Sequence, residues 1–273
     1  MDVLRAVVLG IVEGLTEFLP VSSTGHMILV ERLLGIPSGD PFWSGVFDIF
    51  IQIGAILAVV VYFWRRLWRL SRHAADRPIR EHILFKLFIA FLPAAIIGKL
   101  AGDFIEARLK FPVPVAIAMI VGGVGILVIE RRSIRPKVAD AGSITLTQAL
   151  LVGIAQCAAL WPGMSRSAAT IMGGLLVGLS TAAAAEFSFF LAIPTLIAAG
   201  GYSLLKHIDE VHRQQAFLLC VGFFVSYVVA WIVVAAFMRY IQTHKFGPFA
   251  IYRIAVGVLV LVLLRWLPPQ TGG

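Results

Sequence analysis

The sequence is poor in charged residues and in cysteine. Charged side chains make up 14% of the chain and hydrophobic ones 59%, whereas soluble domains contain roughly 25% and 45–50%. This composition excludes a soluble enzyme with one large core, and it excludes a disordered, collagen-like or coiled-coil chain. The two cysteines lie in apolar stretches, which indicates neither a disulfide framework nor a thiolate metal site. The chain is therefore predicted to be an integral membrane protein.

Six apolar stretches are each long enough to cross a membrane as one helix. A hydrocarbon core of about 30 Å takes about 20 helical residues. The six stretches cover, approximately, residues 44–64, 83–101, 113–130, 181–205, 214–238 and 249–267. They predict an all-α, multi-pass membrane protein that forms a single domain over residues 1–273.

Two further apolar stretches are too short to span the membrane, and each ends at a proline. Residues 3–19 and 144–161 stop before Pro20 and Pro162, and each is followed by a second short apolar run. Because proline ends a helix near the preceding residue, each pair predicts two half-length helices around a polar turn. Non-helical backbone is tolerated inside a membrane only where protein or water covers it. Both pairs are therefore predicted to be re-entrant hairpins whose turns line a cavity.

The two hairpins also resemble each other in sequence. A shift of 143 residues aligns Gly10 with Gly153, and a one-residue slip then aligns Ser23 with Ser165. Each half of the chain contains one hairpin followed by three spans. Because three is odd, the second half enters the membrane from the opposite side. This predicts an inverted repeat with halves of about 1–140 and 141–273.

The basic residues predict the orientation of the spans. The formal net charge is +8, but the arginines flank apolar segments, so the charge does not indicate a nucleic-acid partner. One side of the membrane receives twelve basic residues, namely Arg65, Arg66, Arg69, Arg72, Arg77, Arg80, Arg131, Arg132, Arg135, Lys137, Arg239 and Lys245. The other receives seven, namely Arg5, Arg32, Arg108, Lys110, Lys206, Arg213 and Arg265. Because basic residues are in excess on the cytoplasmic side, both termini are predicted to lie outside.

Ionisable residues at membrane depth are concentrated in the first hairpin. Glu13 and Glu17 are four residues apart, so on a helix both carboxylates project from one face. Two such charges repel each other unless a cation lies between them, and a divalent cation such as Mg2+ takes oxygen ligands. The pair is a candidate metal site; the alternative is an acidic pair at the membrane interface.

Polar residues follow both proline turns. In the first hairpin they are Ser22, Ser23, Thr24 and His26, and in the second they are Gly163, Ser165, Arg166, Ser167 and Thr170. Free N–H groups at the start of a helix form an anion site, although such serines are also ordinary helix N-caps. An arginine at the predicted midplane requires a phosphate or carboxylate partner. Arg166 therefore binds either a phosphate or, structurally, Glu13 or Glu17.

Some polar residues in the spans have less specific surroundings. Asp48 and Gln52 share a face of the first span, and Glu186 and Ser188 lie in the second half. These side chains either orient site residues or join helices by hydrogen bonds. Arg253 is expected to be an interfacial anchor or the partner of an acidic residue.

Residues 13–26 read Glu-Gly-Leu-Thr-Glu-Phe-Leu-Pro-Val-Ser-Ser-Thr-Gly-His. This stretch closely resembles the undecaprenyl-diphosphate phosphatases of the bacitracin-resistance type, which are integral membrane enzymes of bacteria. Residues 162–170 are similar to the second motif of that family, except that Ala168 stands where the family usually has glycine. Residues 186–189 and 251–253 also resemble family stretches, so the resemblance covers essentially the whole chain.

The resemblance implies that the chain hydrolyses a C55 polyprenyl diphosphate to the monophosphate carrier lipid of cell-wall synthesis. It also implies a divalent metal, Mg2+ or Ca2+, and a bacterial inner membrane location with the active site opening to the periplasm. A transporter or flippase of polyprenyl phosphate is the alternative, since inverted repeats with broken helices are also transporter architecture. The sequence leaves open whether the chain is a monomer or a homodimer.

Roles follow for the candidate residues if the chain transfers a phosphoryl group, where positioning and charge neutralisation dominate. Glu13 and Glu17 hold the metal, and Arg166 clamps the phosphoryl group. Either Ser23 or a water attacks, with His26 or a glutamate moving the proton. The remaining candidates bind phosphate: Ser22, Thr24, Gly163, Ser165, Ser167 and Thr170.

Overall fold

The computed structural model describes residues 1–37, 40–72, 78–132, 135–207 and 215–266. Within these ranges the chain is all-helical, as the sequence predicts. The α-helices are α1 (Asp2–Thr16), α2 (Ser23–Leu33), α3 (Asp48–Tyr62), α4 (Trp64–Arg72), α5 (Ile83–Leu109), α6 (Pro112–Arg131), α7 (Leu146–Gln156), α8 (Arg166–Leu176), α9 (Thr181–His207), α10 (Ala216–Tyr240) and α11 (Gly247–Trp266). A π-helical turn, Phe42–Phe47, leads into α3, and a 3-10 turn, Cys157–Leu160, extends α7.

Six helices are long and apolar enough to cross a membrane, which confirms the predicted number. They are Phe42–Tyr62, Ile83–Ile105, Pro112–Arg131, Thr181–Gly201, Ala216–Tyr240 and Gly247–Leu264. Pro93 and Pro194 lie inside α5 and α9 without ending them. Membrane helices tolerate proline where neighbouring groups satisfy the freed carbonyl. Proline alone therefore does not mark a helix end in this chain.

The two predicted hairpins are present as pairs of short helices, α1 with α2 and α7 with α8. Ser22 and Ser165 cap the second helix of each pair, and both have positive φ, at 75° and 71°. Each hydroxyl accepts from the N–H three residues later, at 3.3 and 3.2 Å. Positive φ is uncommon in residues other than glycine, so this pair of caps is a specific structural likeness between the halves.

The ends of α2 and α8 also match. Gly35 and Gly178 follow these helices with φ of 66° and 90°, and each residue's N–H bonds back to the carbonyl three residues earlier. This is the Schellman ending, for which glycine is favoured. Both the caps and these glycines are 143 residues apart. The slip that pairs Ser23 with Ser165 is therefore wrong, because the serines were aligned by an offset between prolines that the helices do not follow.

The first helix of each hairpin packs on a span from the other half of the chain. Helix α1 packs on α10, and α7 packs on α5. At Gly10 the backbone of Gly222 approaches so closely that a Cβ would lie 2.8 Å from its carbonyl oxygen, and at Gly153 a Cβ would overlap the backbone of Ala90. Glycine thus permits both close approaches, at positions that are again 143 residues apart.

Helix α4 is an element that the sequence analysis did not predict. It carries two exposed tryptophans, Trp64 and Trp68, and none of its residues is buried. Arg66 pairs with Glu186 of α9 at 2.7 Å and with Asp140. Such a helix suits a membrane interface, where tryptophan and arginine are both favoured. Two basic residues of the orientation argument, Arg77 and Arg213, lie outside the described residues.

Candidate active site

A cavity of about 290 Å3 lies between the first hairpin, α3 and the end of α9. Its polar lining residues are Glu13, Ser23, Thr24, Glu31, Ser44, Asp48, Gln52 and Lys110. Lys110, which the charge argument places outside, follows the end of α5. The cavity therefore reaches from the first hairpin to the end of the molecule that carries Lys110.

Glu13 and Glu17 lie at the end of α1, as the helical spacing predicts. The N–H of Glu17 donates to the carbonyl of Glu13 at 2.9 Å, so the helical geometry extends through both residues. The two side chains are buried, at 4% and 6% exposure. Oε1 of Glu13 is buried and has no hydrogen-bond partner within the described part of the chain. One carboxylate of the pair thus has an oxygen free for a ligand.

The turn of the first hairpin brings Ser23 back to Glu17. The Ser23 hydroxyl donates to Oε2 of Glu17 at 2.6 Å. Ser23 is also the first residue of α2, where the helix dipole and free N–H groups favour negative charge. A hydroxyl bonded to a carboxylate at a helix N-terminus is the arrangement of an activated nucleophile and its base.

Arg166 of the second hairpin faces the same glutamate. Its Nη2 lies 3.5 Å from Oε1 of Glu17, and its Nη1 donates to the carbonyl of Ser188 at 3.1 Å. Nε of Arg166 is buried and has no partner among the described residues, and the guanidinium lies over the ring of Phe18. The ion pair to Glu17 is long, and one donor of the guanidinium remains for a ligand.

The hydroxyls of the second hairpin donate to protein groups. Ser167 donates to the carbonyl of Leu19 at 2.7 Å, which ties the two hairpin turns together. Thr170 donates to the carbonyl of Arg166 at 2.8 Å and contacts the Ser188 hydroxyl at 2.6 Å. Ser167 and Thr170 are both fully buried. These contacts assign Ser167 and Thr170 to positioning Arg166 and the turns, and contact with phosphate would require their bonds to break.

Ser22, Ser165 and Gly163 shape the turns. The two serines are helix N-caps, and Ser165 also bonds the Ser167 hydroxyl at 3.0 Å. Gly163 has φ of +98°, and a Cβ there would overlap the backbone of Val115 in α6. Among the hydroxyls predicted to bind phosphate, Thr24 lines the cavity. Thr24 is therefore the best placed of them to meet a ligand.

His26 is held away from Ser23. Its Nδ1 lies 2.7 Å from the carbonyl oxygen of Ser22, and its Nε2 lies 2.8 Å from the hydroxyl of Tyr252. Because a carbonyl only accepts, Nδ1 carries the proton, and the Tyr252 hydroxyl donates to a neutral Nε2. Both ring nitrogens are thus occupied, and the proton acceptor nearest to Ser23 is Glu17.

Four polar residues of the spans that were less specific in sequence have defined partners or positions. Asp48 and Gln52 line the cavity, and Oδ1 of Asp48 makes no hydrogen bond within the described ranges. Ser188 orients Arg166 and Thr170, whereas Glu186 pairs with Arg66 near α4. Asp48 thus faces the cavity, and Ser188 supports the site.

The donor set suits a divalent ion that keeps part of its water. Among the residues that the structure describes, no three His, Cys, Asp or Glu side chains lie close enough to hold a metal ion alone. The buried, unpartnered Oε1 of Glu13 is nevertheless a suitable oxygen ligand beside the cavity. Mg2+ is commonly bound by one or two carboxylates, waters and substrate phosphates. The residues therefore fit a metal that is completed by substrate oxygens.

Comparison with known proteins agrees with this site. A family model described as "Bacitracin resistance protein BacA" matches residues 6–259. A protein of Rhodopseudomonas palustris (strain BisB18) named undecaprenyl-diphosphatase is 46% identical over 264 residues, which cover 96% of this chain and 97% of the relative. A protein of the same name from Caldanaerobacter subterraneus subsp. tengcongensis is 48% identical over 264 residues, with 96% of each chain covered. The chain belongs to the bacitracin resistance protein family.

The region that matches the family model includes every candidate site residue, and it also includes two residues whose roles sequence reasoning missed. Tyr252 holds His26, and Arg253 is fully buried and bonds main-chain carbonyls. The expectation that Arg253 is an interfacial anchor or pairs with an acid is therefore wrong, because its guanidinium lies among backbone oxygens. The only sequence signal was the likeness of residues 251–253 to a family stretch.

Ala168, the departure from the second family motif, does not narrow the cavity. Its side chain is 3% exposed and belongs to the hydrophobic core, and its N–H donates to the Ser165 hydroxyl. The extra methyl group is thus directed into the protein. A glycine at this position is not needed for the turn that the chain adopts.

Proposed function

We propose that the chain hydrolyses undecaprenyl diphosphate to undecaprenyl phosphate and inorganic phosphate, and so regenerates the carrier lipid of cell-wall synthesis. The observation that carries the proposal is the 2.6 Å contact between the Ser23 hydroxyl and Glu17, with Arg166 on the other oxygen of the same carboxylate. A hydroxyl, its base and a cation thus meet beside one cavity. Relatives of 46% and 48% identity that are named undecaprenyl-diphosphatase support the choice of substrate.

The first half of the proposed reaction transfers the terminal phosphoryl group to Ser23. The Ser23 oxygen forms a bond to phosphorus while Oε2 of Glu17 takes the hydroxyl proton. The bond from phosphorus to the bridging oxygen breaks, and undecaprenyl phosphate leaves with the electron pair. Arg166 turns from Glu17 toward the phosphoryl oxygens, where its planar guanidinium binds two oxygens at once.

The second half releases the phosphate. Water attacks the phosphoserine, the bond between phosphorus and the Ser23 oxygen breaks, and Glu17 returns its proton to that oxygen. Direct attack by a water held by Glu17 gives the same products in one step. A bound Mg2+ or Ca2+ would be held by Glu13 and Glu17 and would neutralise charge on the diphosphate oxygens.

The membrane arrangement is part of the same proposal. The matched caps, helix ends and glycine contacts at a constant spacing support an inverted repeat with two re-entrant hairpins. The position of Lys110 at the cavity supports an opening toward the periplasm in the bacterial inner membrane. The substrate would then meet the site from the outer leaflet. The relatives' names support a phosphatase, and no contact in the site favours the flippase alternative over it.

The test is phosphate release from undecaprenyl diphosphate by the purified chain in detergent. Ser23→Ala removes the attacking oxygen, so turnover should fall by several orders of magnitude if the serine attacks. Ser226→Ala is the matched control, because Ser226 is equally a buried serine that donates to a carbonyl, of Ile51 in α3, but it lies away from the turns. Trapping of 32P on the wild-type chain and not on Ser23→Ala would identify the phosphoserine.

The outcomes separate the two chemical routes from failure of the proposal. Full turnover in Ser23→Ala together with a response to chelator would favour the attacking water. Absence of phosphate release by the wild-type chain, with and without Mg2+ or Ca2+, would refute the proposed function.

A further inference from the structure

Arg253 is the largest side chain that is fully buried in the described structure. It comes from α11, and its guanidinium donates to five main-chain carbonyl oxygens. These belong to Pro20, Ala118, Met119, Gly163 and Met164. A buried guanidinium requires many acceptors, and here backbone oxygens provide them in place of a carboxylate.

Three of these carbonyls belong to the turns of the two hairpins. Nη1 of Arg253 lies 3.4 Å from the Pro20 oxygen in the first turn. Nη2 lies 2.8 Å from the oxygens of both Gly163 and Met164 in the second turn. One planar group thus bonds the backbone of both turns at once. Ser23 follows the first contact by three residues, and Arg166 follows the last by two.

The other two carbonyls fix the guanidinium on α6. Nε donates to Met119 at 2.9 Å, and Nη2 lies 3.4 Å from the Ala118 oxygen. Gly122 of α6 leaves the space for the group, because a Cβ there would lie 2.5 Å from Nη2. The guanidinium is therefore held by the span and the turns together, and it has little freedom to move.

We propose that Arg253 is a positioning residue that sets the separation of the two hairpin turns, and thereby the position of Arg166 relative to Ser23 and Glu17. The proposal rests on the proposed function for its kinetic part only. Each turn carries one part of the proposed site: the nucleophile and its base lie on one, and the cation lies on the other. A shift of about 1 Å between reacting groups can lower a rate by about 10²-fold.

Lysine at this position separates positioning from a general requirement for a buried cation. Arg253→Lys keeps the charge, but one ammonium group cannot span carbonyls on two turns and on α6. We expect kcat to fall by about 10²-fold with KM changed much less, because the substrate's lipid tail does not depend on the turns. In an Arg166→Lys background the same substitution should add little, since the residues it aligns are already mismatched.

Hydrogen exchange measured by mass spectrometry provides a readout that does not depend on activity. In Arg253→Lys, amides at residues 19–25 and 161–168 should exchange faster, on the order of tenfold, while amides in the contact of α1 with α10 stay protected. Gly122→Ala is a second variant that keeps the arginine and displaces its guanidinium. Ser226→Ala serves as the control, because it removes a buried hydrogen bond that reaches neither turn.

Each outcome decides the proposal. Faster exchange confined to the two turns, together with the fall in kcat, supports it. Unchanged turns, full turnover despite loosened turns, or faster exchange in all helices of both variants would overturn it. If the wild-type chain releases no phosphate, the proposed function fails, and the exchange pattern alone decides whether Arg253 sets the turns.

Discussion

Arg166→Lys is the substitution that best separates phosphate binding from a structural ion pair. Arg166 lies 3.5 Å from Glu17 through Nη2, and its buried Nε has no partner in the described ranges. A lysine can keep the ion pair with Glu17, because an ammonium group can approach a carboxylate from many directions. It cannot bind two phosphate oxygens with a planar fork.

The magnitude follows from the contacts that the lysine loses. A charged donor aimed at developing charge in a site shielded from water contributes about 3–4 kcal/mol to the transition state, by analogy with an oxyanion-hole donor, which corresponds to about 10²–10³ in rate. The contribution to folding is small, since the ion pair is long and the contact to Ser188 is a single bond. We therefore expect Arg166→Lys to insert normally and to melt near the wild-type temperature, yet to lose nearly all turnover.

The assay is phosphate release from undecaprenyl diphosphate, with thermal unfolding measured on the same preparation. Arg66→Lys is the matched control, because Arg66 is an arginine that pairs with Glu186 and Asp140 far along the sequence. The control should keep its turnover. If Arg166→Lys also keeps most of its turnover, or if it loses turnover by unfolding, Arg166 is a structural partner of Glu17 and not a phosphate ligand.

Three further predictions follow from the same structure. Glu17→Gln removes the acceptor of the Ser23 proton, so turnover should fall by about 10²–10⁴ and its Mg2+ response should weaken; unchanged values of both would contradict the role. Tyr252→Phe removes one hydrogen bond of His26, so the melting temperature should fall by about 2–4 °C, and a loss of turnover as large as in Glu17→Gln would place the pair in proton transfer instead. In a variant without the native cysteines, a cysteine at Ser71 should resist an impermeant thiol reagent added to intact cells and one at Lys110 should react; the reverse pattern would invert the topology.

The spans and the broken helices could be predicted because membrane thickness and proline impose them locally. An apolar run of about 20 residues has few alternatives to a spanning helix, and the turns at Pro20 and Pro162 interrupt runs that are too short. The register between the halves was predicted incorrectly after the prolines. The positive φ of Ser22 and Ser165, which defines the correct register, leaves no mark in composition or hydropathy.

The contacts of the site depend on residues that are far apart in sequence. His26 and Tyr252 are separated by 226 residues, and Arg253 meets carbonyls whose acceptor role exists only in the folded chain. The sequence indicates that a buried arginine needs partners, but a carbonyl is present at every residue and therefore gives no pattern. Helix α4 was missed because its arginines read as a charged loop between spans.

The constant spacing of 143 residues pairs positions whose chemistry differs. Ser22 corresponds to Ser165 in conformation, so Ser23 and Arg166 occupy equivalent first positions of α2 and α8. One half of the chain therefore contributes an acid and a hydroxyl where the other contributes a base. A symmetric pair of identical halves would bring two glutamates or two arginines together, and like charges at such a distance repel. Divergence of the two halves is thus what makes a single mixed-charge site out of a repeated backbone.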